Sequence, residues 1–175
     1  MTRYAAIDLG ASSGRVIEGT LEKPENGSVG DLKFSLREVA RFKNGAVHVP
    51  HKNGHHLHWD LIHLWDQILT GLARCEAIAS IGVDTWAVDY GLLDPNGALI
   101  GLPYAYRDER TEGVPEEFFT RMPARQLYAA NGLQVQNFNT MFQLLAHLAE
   151  HPEHFHQANQ LLLLPDLLSY WLGGA

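Results

Sequence analysis

The chain has little cysteine, little positive charge and no long apolar run, and each shortage excludes a class of protein. Cys75 is the single cysteine among 175 residues, so no internal disulfide can form. The 13 Lys and Arg residues against 20 Asp and Glu residues give a net charge of −7, which argues against a nucleic-acid surface. No apolar run approaches the ~20 residues of a membrane span, and the first residues predict a strand rather than a signal peptide. We therefore expect a globular cytoplasmic protein that binds neither nucleic acid nor membrane.

The first residues predict a strand, a tight polar turn and a second strand, although the chain carries neither the G-x-x-x-x-G-K-[ST] nor the G-x-G-x-x-G phosphate motif. Asp8 ends the first strand, Ser12 and Ser13 lie in the turn, and Arg15 follows it. Small turn residues let backbone N–H groups approach phosphate oxygens, and Asp8 can reach a Mg²⁺ ion directly or through water. The pattern favours a nucleotide-phosphate site, or equally an ordinary hairpin.

The periodicity of apolar residues predicts an α/β fold with a mixed sheet. Residues 4–20 predict a hairpin, residues 31–42 a third antiparallel strand with a possible bulge, and residues 43–58 a loop. Asp60 is the expected N-cap of a helix of about four turns. Next comes a predicted buried strand over 77–83 that continues to residue 93.

The remaining predicted elements complete the α/β pattern. A polar turn is predicted at 21–30 and a tight turn at 94–97. Two short helices are predicted at 115–121 and 123–130, and a longer helix from Asn139 or Thr140 to Pro152. A short buried strand at 161–164 and a last helix over Pro165–Gly173 follow. The expected buried face of the longer helix consists of Met141, Leu144, Leu145 and Leu148.

A second polar segment leaves the predicted buried strand. It carries the carboxylates Asp84 and Asp89 and the aromatic residues Trp86 and Tyr90. Carboxylates accept hydrogen bonds from hydroxyl groups and aromatic faces pack on C–H edges, so this mixture suits a polyol or sugar. Mixed sheets bind ligands beyond their strand ends, where Asp8 and Asp84 are both expected. The alternative is a strand that merely reaches solvent.

A third segment, residues 103–111, contains Tyr106. Its side chain could face a substrate, although most tyrosines only pack against other side chains of the protein. Arg107 or Arg110 could pair with Asp84 or Asp89 in an ion-pair network.

The histidines of 43–58 suggest a zinc site, because His48, His51, His55, His56 and His58 occupy eleven residues. The segment has no cysteine and no H-E-x-x-H motif, so a polar loop before a capped helix is the alternative. Four further histidines are expected near a helix end, where they suit the helix dipole: His147, His151, His154 and His156. The sequence pairs no general base with Cys75 that could activate its thiol, so we expect a structural role for this residue.

Taken together, the motifs resemble the FGGY family of carbohydrate kinases, specifically the N-terminal half of its rhamnulokinase branch. The matching segments span the chain in order: Asp8–Val16, Asn53–Gly54, Trp59–Asp60, Ser80–Trp86, Val88–Asp89, Tyr106–Asp108, Arg110–Thr111, Asn139–Thr140, Gln143–Leu144 and Leu163–Asp166. The Ala-Ser-Ser-Gly-Arg turn together with Gly-Val-Asp-Thr-Trp is specific within the superfamily.

The resemblance implies an actin-like, ribonuclease-H-like ATPase domain with a mixed sheet and flanking helices, spanning residues 1–175. A second, C-terminal actin-like domain is expected to partner it and to lie outside these residues. The implied reaction transfers the γ-phosphate of ATP to L-rhamnulose, with Mg²⁺, and gives L-rhamnulose 1-phosphate.

The resemblance also implies roles for individual residues. Asp8 matches the carboxylate that approaches the metal, Ala87 a sugar contact where relatives carry Gly, and Tyr106 an aromatic residue near the substrate. Asp84 and Trp86 are further candidates on the sugar side. The ATP phosphate loop of the family falls on Ala11, Ser12, Ser13, Gly14 and Arg15.

The chain is much shorter than members of the family, whose general base and most of whose adenine pocket lie in the second half. This chain alone is therefore expected to be inactive. Two alternatives stay open: a non-catalytic sugar- or nucleotide-binding module of the same fold, and a kinase for a related ketose such as L-fuculose or xylulose.

Overall fold

The computed structural model describes residues 1–23, 32–52 and 54–174, which form two compact units. Unit 1 comprises residues 1–46, 60–86 and 164–175, and unit 2 comprises residues 47–59 and 87–163. Most of the predicted polar turn at 21–30 lies outside the described residues. The strands are β1 (Thr2–Leu9), β2 (Ser13–Glu22), β3 (Lys33–Lys43), β4 (Ala46–His51), β5 (Gly54–Trp59), β6 (Ile78–Thr85), β7 (Tyr90–Leu93) and β8 (Gln160–Leu163). The helices are α1 (Leu61–Leu72), α2 (Val114–Phe119), α3 (Ala124–Asn131), α4 (Thr140–Glu150), α5 (Pro152–Gln157) and α6 (Leu164–Gly173).

Unit 1 contains a four-stranded mixed sheet in the order β3-β2-β1-β6. The β1–β2 and β2–β3 pairs are antiparallel and the β1–β6 pair is parallel. The predicted hairpin and third strand are thus confirmed. The predicted bulge is also confirmed, because the β2–β3 register shifts between Val16 and Ile17.

Helix α1 covers one face of this sheet. Its N-cap is Asp60, as expected, since Asp60 Oδ1 accepts a hydrogen bond from His63 N at 3.0 Å. Gly71 allows close approach to the sheet, because a Cβ atom there would lie 2.5 Å from Val16 Cγ2. The helix has 12 residues, or about three turns, and is a little shorter than predicted.

Glu18 on β2 is a buried carboxylate with three partners. Its Oε2 accepts a hydrogen bond from Glu76 N at 2.9 Å, and its Oε1 accepts one from Arg37 Nη2 at 3.2 Å. Arg3 Nε lies 3.9 Å from Oε1. These contacts, led by the Glu76 amide, hold the pKa of Glu18 below its ordinary value of 4.5.

The strand predicted over 77–93 is wrong in two respects. It ends at Thr85, and a separate strand, β7, begins at Tyr90. The first part is also largely exposed rather than buried, because β6 is the outer strand of the described sheet. An apolar run indicates a strand but not whether both of its faces are covered.

In unit 2, the segment predicted as a loop forms the neighbouring strands β4 and β5. Strand β8 confirms the strand predicted at 161–164 and pairs with β7 antiparallel. The predicted burial is wrong, since Leu161 and Leu163 are 40% and 39% exposed. The turn at Asp94 is confirmed, because Asp94 Oδ1 accepts hydrogen bonds from Asn96 N and Ala98 N, both at 2.8 Å.

The predicted short helices are confirmed as α2 and α3, and the last helix as α6. Helix α4 exists as predicted but buries a different face. Its buried residues are Phe142, Gln143, Ala146 and His147, whereas Leu145 and Leu148 are exposed. Gln143 and His147 can be buried because their polar atoms find hydrogen-bond partners inside the unit.

None of the helices in the described residues is long and apolar enough to cross a membrane.

Candidate functional site

The turn between β1 and β2 is held through its carbonyl groups. Gly10 N donates to Ser13 O at 2.9 Å. Asn44, which follows β3, donates from its backbone N to Ser12 O at 3.1 Å and from its Nδ2 to Gly10 O at 2.7 Å. Within the described part of the chain, the amides of Ala11 and Ser12 donate no hydrogen bond. These amides and the exposed Ser12 side chain fit the oxygens of a phosphate group. No sequence pattern predicted this role of Asn44 in holding the turn.

A row of charged residues crosses the sheet beside this turn. Asp8 lies opposite Asp84 of β6 on one side and opposite Arg15 of β2 on the other, and Arg15 lies opposite Arg41 of β3. Directly opposed residues project from the same face of a sheet. The expectation that Asp8 and Asp84 lie together is therefore confirmed.

The arrangement around Asp8 fits a hydrated Mg²⁺ ion. Arg15 Nη2 donates to Oδ2 of Asp8, and Asp8 Oδ1 accepts no hydrogen bond from the residues that the structure describes. Asp84 is exposed and adds a second carboxylate from the neighbouring strand. Carboxylate oxygens and waters are the ligands that Mg²⁺ prefers.

Gly14 has a packing role that the sequence pattern did not reveal. A Cβ atom at this position would lie 2.2 Å from Phe42 Cε2 and 2.7 Å from Leu9 Cδ2. Phe42 and Leu9 are themselves buried. Glycine is therefore required here by the core of unit 1, in addition to its expected place in the phosphate loop.

The two sugar-side candidates in unit 1 follow one another at the end of β6. Asp84 is exposed, and Trp86 is half-buried. Thr85 Oγ1 donates to Trp86 O at 2.7 Å, which holds the chain where the strand ends.

Ala87 begins the sugar-side part of unit 2 and is exposed. The next residue, Val88, has a φ of 71°, a left-handed conformation that is strained for a β-branched residue. Helix α4 holds this corner, because Val88 O accepts hydrogen bonds from Thr140 Oγ1 at 2.8 Å and from Gln143 Nε2 at 3.3 Å. The corner was missed because a Val gives no local signal for positive φ.

Asp89 lies inside unit 2 and is 1% exposed. It accepts hydrogen bonds from Trp59 Nε1 at 2.6 Å, Gln143 Nε2 at 2.8 Å and Tyr106 N at 3.1 Å. Its carboxylate thus fixes the backbone of the predicted substrate residue Tyr106. The Tyr106 ring lies 6.3 Å from the Trp59 ring and 5.7 Å from the Phe138 ring, between centroids.

The two arginines suggested as ion-pair partners lie against other groups of unit 2. Arg110 donates to Gln143 O at 2.8 Å and to Gln143 Oε1 at 2.9 Å. Its guanidinium carbon lies 3.9 Å from the centre of the Tyr104 ring, and the carboxylate beside its Nε is Asp108, at 3.7 Å. The guanidinium of Arg107 lies 5.3 Å from the centre of the Tyr106 ring.

The histidines of β4 and β5 do not form the suggested zinc site. His56 Nδ1 lies 3.0 Å from Asp108 Oδ1, and the His48 and His55 rings make an edge contact at 4.4 Å. Among the described residues, no three side chains of these strands bring metal-ligating atoms together. Cys75 is half-buried, and burial raises the pKa of its thiol, which agrees with the expected structural role.

Comparison with known proteins identifies the family. The model of the N-terminal domain of the FGGY family of carbohydrate kinases matches residues 4–175. The chain belongs to the FGGY family.

Two curated relatives of this FGGY chain are rhamnulokinases. That of Bacteroides thetaiotaomicron is 43% identical over 175 residues, covering 98% of this chain and 34% of the relative. That of Mannheimia succiniciproducens is 42% identical over 174 residues, covering 97% of this chain and 34% of the relative. The chain therefore spans about a third of the length of the curated relatives it matches.

The solved structure of xylulose kinase from Rhodospirillum rubrum shows the fold. It matches with a TM-score of 0.73 at 17% identity, covering 97% of this chain and 34% of that one. The mixed sheet with flanking helices is thus the actin-like ATPase fold of FGGY sugar kinases, as the sequence motifs implied.

Proposed function

We propose that this chain is the N-terminal domain of an ATP-dependent kinase that transfers the γ-phosphate of ATP to L-rhamnulose and gives L-rhamnulose 1-phosphate. The observation that carries the proposal is the β1–β2 turn, where the amides of Ala11 and Ser12 donate no hydrogen bond within the described residues and the carboxylates Asp8 and Asp84 lie on adjacent strands beside it. The choice of sugar is supported by the rhamnulokinase relatives, at 43% and 42% identity.

On the nucleotide side, the amides and hydroxyls of the turn would bind phosphate oxygens. Arg15 adds a positive charge and orients Asp8 through their hydrogen bond. Asp8 would hold hydrated Mg²⁺ through the oxygen that Arg15 does not occupy. Bound Mg·ATP supplies the phosphoryl group, with its charge partly neutralised by the metal. The phosphate-binding residues in this proposal are Ala11, Ser12, Ser13, Gly14 and Arg15.

On the sugar side, Asp84 would accept hydrogen bonds from sugar hydroxyls. Trp86 and Tyr106 would present aromatic faces to the C–H edges of the sugar. Ala87 would add a methyl group to the sugar contact. The strained corner at Val88 and the buried carboxylate Asp89 would position Ala87 and Tyr106 within unit 2.

We further propose that this chain alone binds its ligands without turnover, because the general base of the family belongs to the C-terminal domain. That domain is the proposed protein partner. The protein is proposed to act in the cytoplasm, which agrees with its one cysteine.

The test uses a chimera in which this chain replaces the corresponding third of the B. thetaiotaomicron relative. ADP release is measured with Mg·ATP and L-rhamnulose, L-fuculose or xylulose, and the 175-residue chain alone is the matched control. We expect the largest kcat/KM with L-rhamnulose and no turnover by the chain alone. Preference for another ketose would show that the substrate is not L-rhamnulose. Robust turnover by the chain alone would refute the proposal that these residues lack the general base.

A second candidate is a non-catalytic module of the same fold that binds sugar or nucleotide, because the amides of Ala11 and Ser12, which donate no hydrogen bond within the described residues, would suit phosphate binding without transfer as well. Mg·ATP binding by the chain, measured by calorimetry, together with a folded chimera inactive on every sugar, would support this candidate over the kinase.

A further inference from the structure

Three metal-ligating side chains come together where α4 ends and α5 begins, in unit 2. His151 is the C-cap of α4, and Pro152 opens α5. One ring nitrogen of His151, one of His154 and one carboxylate oxygen of Glu153 lie within 4.8 Å of one another. His151 Nδ1 is 3.0 Å from Glu153 Oε1, and the two imidazole rings stack with centroids 4.7 Å apart.

The 3.0 Å between His151 Nδ1 and Glu153 Oε1 is close to the ligand spacing that a metal ion imposes, and the ligand atoms of all three residues lie within 4.8 Å of one another. Bonds of about 2.0–2.2 Å around a tetrahedral Zn²⁺ ion place neighbouring ligand atoms roughly 3.3 Å apart. Glu153 is exposed, and His151 and His154 are only half-buried, so small side-chain rotations can bring their ligand atoms to this spacing.

A buried histidine supports the cluster from within the unit. His147 Nε2 lies 3.0 Å from His154 Nδ1, and His147 Nδ1 lies 2.9 Å from the Tyr90 hydroxyl oxygen. Histidines that bind metals usually use the second ring nitrogen for such a hydrogen bond, which fixes the orientation of the ring. His147 thus holds His154 through Nδ1 and leaves Nε2 for an ion.

The cluster is also open to solvent. His151 lines an open pocket of about 400 Å³ together with His51, Lys52, His56 and Glu150. The pocket gives an ion and its remaining water ligands access to His151.

We propose that His151, Glu153 and His154 form a site for a divalent transition-metal ion such as Zn²⁺. Two imidazoles and one carboxylate are the donors that Zn²⁺, Ni²⁺ and Cu²⁺ accept, whereas Mg²⁺ and Ca²⁺ prefer oxygen ligands alone. The site is therefore distinct in chemistry from the Mg²⁺ site proposed at Asp8. A bound ion would cross-link the end of α4 to α5 and stabilise the turn at His151.

The test titrates Zn²⁺ into the tag-free 175-residue chain by calorimetry, with excess Mg²⁺ present. Co²⁺ is the second probe, since its visible spectrum reports nitrogen and oxygen coordination. The ligand variants are His151→Gln, Glu153→Gln and His154→Gln. The matched control is His156→Gln, which removes an exposed histidine from the same helix. A double variant of His48 and His55 to Gln controls for the β4–β5 histidines.

We expect one equivalent of Zn²⁺, undisplaced by Mg²⁺. Each ligand variant should weaken Zn²⁺ binding by about tenfold or more, because loss of a residue that only hydrogen-bonds to a metal ligand already weakens binding by about that much. The controls should bind as the wild type does. Glu153→Gln alters an exposed side chain, so it keeps the test informative if a histidine variant misfolds. Absence of Zn²⁺ binding, equal binding by Glu153→Gln, or loss only in the His48 and His55 variant would overturn the proposal.

Discussion

Replacement of Gly14 by Ala tests whether the β1–β2 turn is fixed by packing as well as by its hydrogen bonds. The new Cβ atom would lie 2.2 and 2.5 Å from two ring carbons of Phe42 and 2.7 Å from Leu9 Cδ2. Real Cβ atoms do not approach so closely, so the ring must move. Phe42 is 8% exposed and Leu9 is 2% exposed, which leaves little room for that movement.

Overpacking of this kind costs about 1–3 kcal/mol. Replacing Gly by Ala also stabilises by about 0.4–1 kcal/mol, because it restricts the unfolded chain. Gly14 does not have a positive φ, so backbone strain adds nothing. We therefore expect the free energy of unfolding to fall by roughly 1–2 kcal/mol. A loss of 1 kcal/mol lowers the Tm by about 2–4 °C in a chain of this size.

The assay is urea unfolding of Gly14→Ala and of Gly82→Ala, the matched control. Gly82 lies in β6 of the same sheet, and a Cβ atom there would meet nothing within 4 Å. The control should be unchanged or slightly more stable. In a Phe42→Leu background, the cost of Gly14→Ala should shrink, because the clashing ring is gone. Equal stability of Gly14→Ala and the wild type, or an equal cost in both backgrounds, would refute the packing argument.

Three further predictions concern ligand binding and pH. Joint replacement of Ser12 and Ser13 by Ala should weaken Mg·ATP binding in calorimetry with little change in Tm, because Ser12 is exposed in the turn and Ser13, at the start of β2, is only half-buried. A loss of stability with unchanged binding would contradict the proposed phosphate loop. In the active chimera, Ala87→Gly should change the KM for the sugar more than the KM for ATP, and equal changes would argue against a sugar contact. The pKa of Glu18 is lowered in the folded chain, so the unfolded chain binds more protons around pH 4.5 and stability should fall as the pH drops through this region. Glu18→Gln should flatten that pH dependence in urea unfolding, whereas Glu22→Gln, at the exposed end of the same strand, should not.

Much of the candidate site follows from local sequence. The hairpin, the Asp60 cap and the Asp94 turn are encoded by residues within a few positions of one another, so pattern alone predicts them. The neighbouring positions of Asp8 and Asp84 also follow, because the ends of parallel strands meet at one edge of a sheet.

Other features depend on residues distant in sequence. Asn44 holds the β1–β2 turn, and helix α4 holds Val88 in a strained conformation through Gln143. Burial was misjudged where hydrophobicity alone guided it: the outer strand β6 is exposed, and α4 buries Gln143 and His147 instead of Leu145 and Leu148.

The sequence by itself therefore determined the family and the order of most elements, and it predicted the residues that we propose for the phosphate loop. Those features depend on backbone preferences and on motifs read along the chain. Only the tertiary structure decided which polar groups are buried, which glycine is needed for packing and which histidines come together. A buried polar side chain is stable only when its partners are in place, and those partners come from segments that the fold alone brings near.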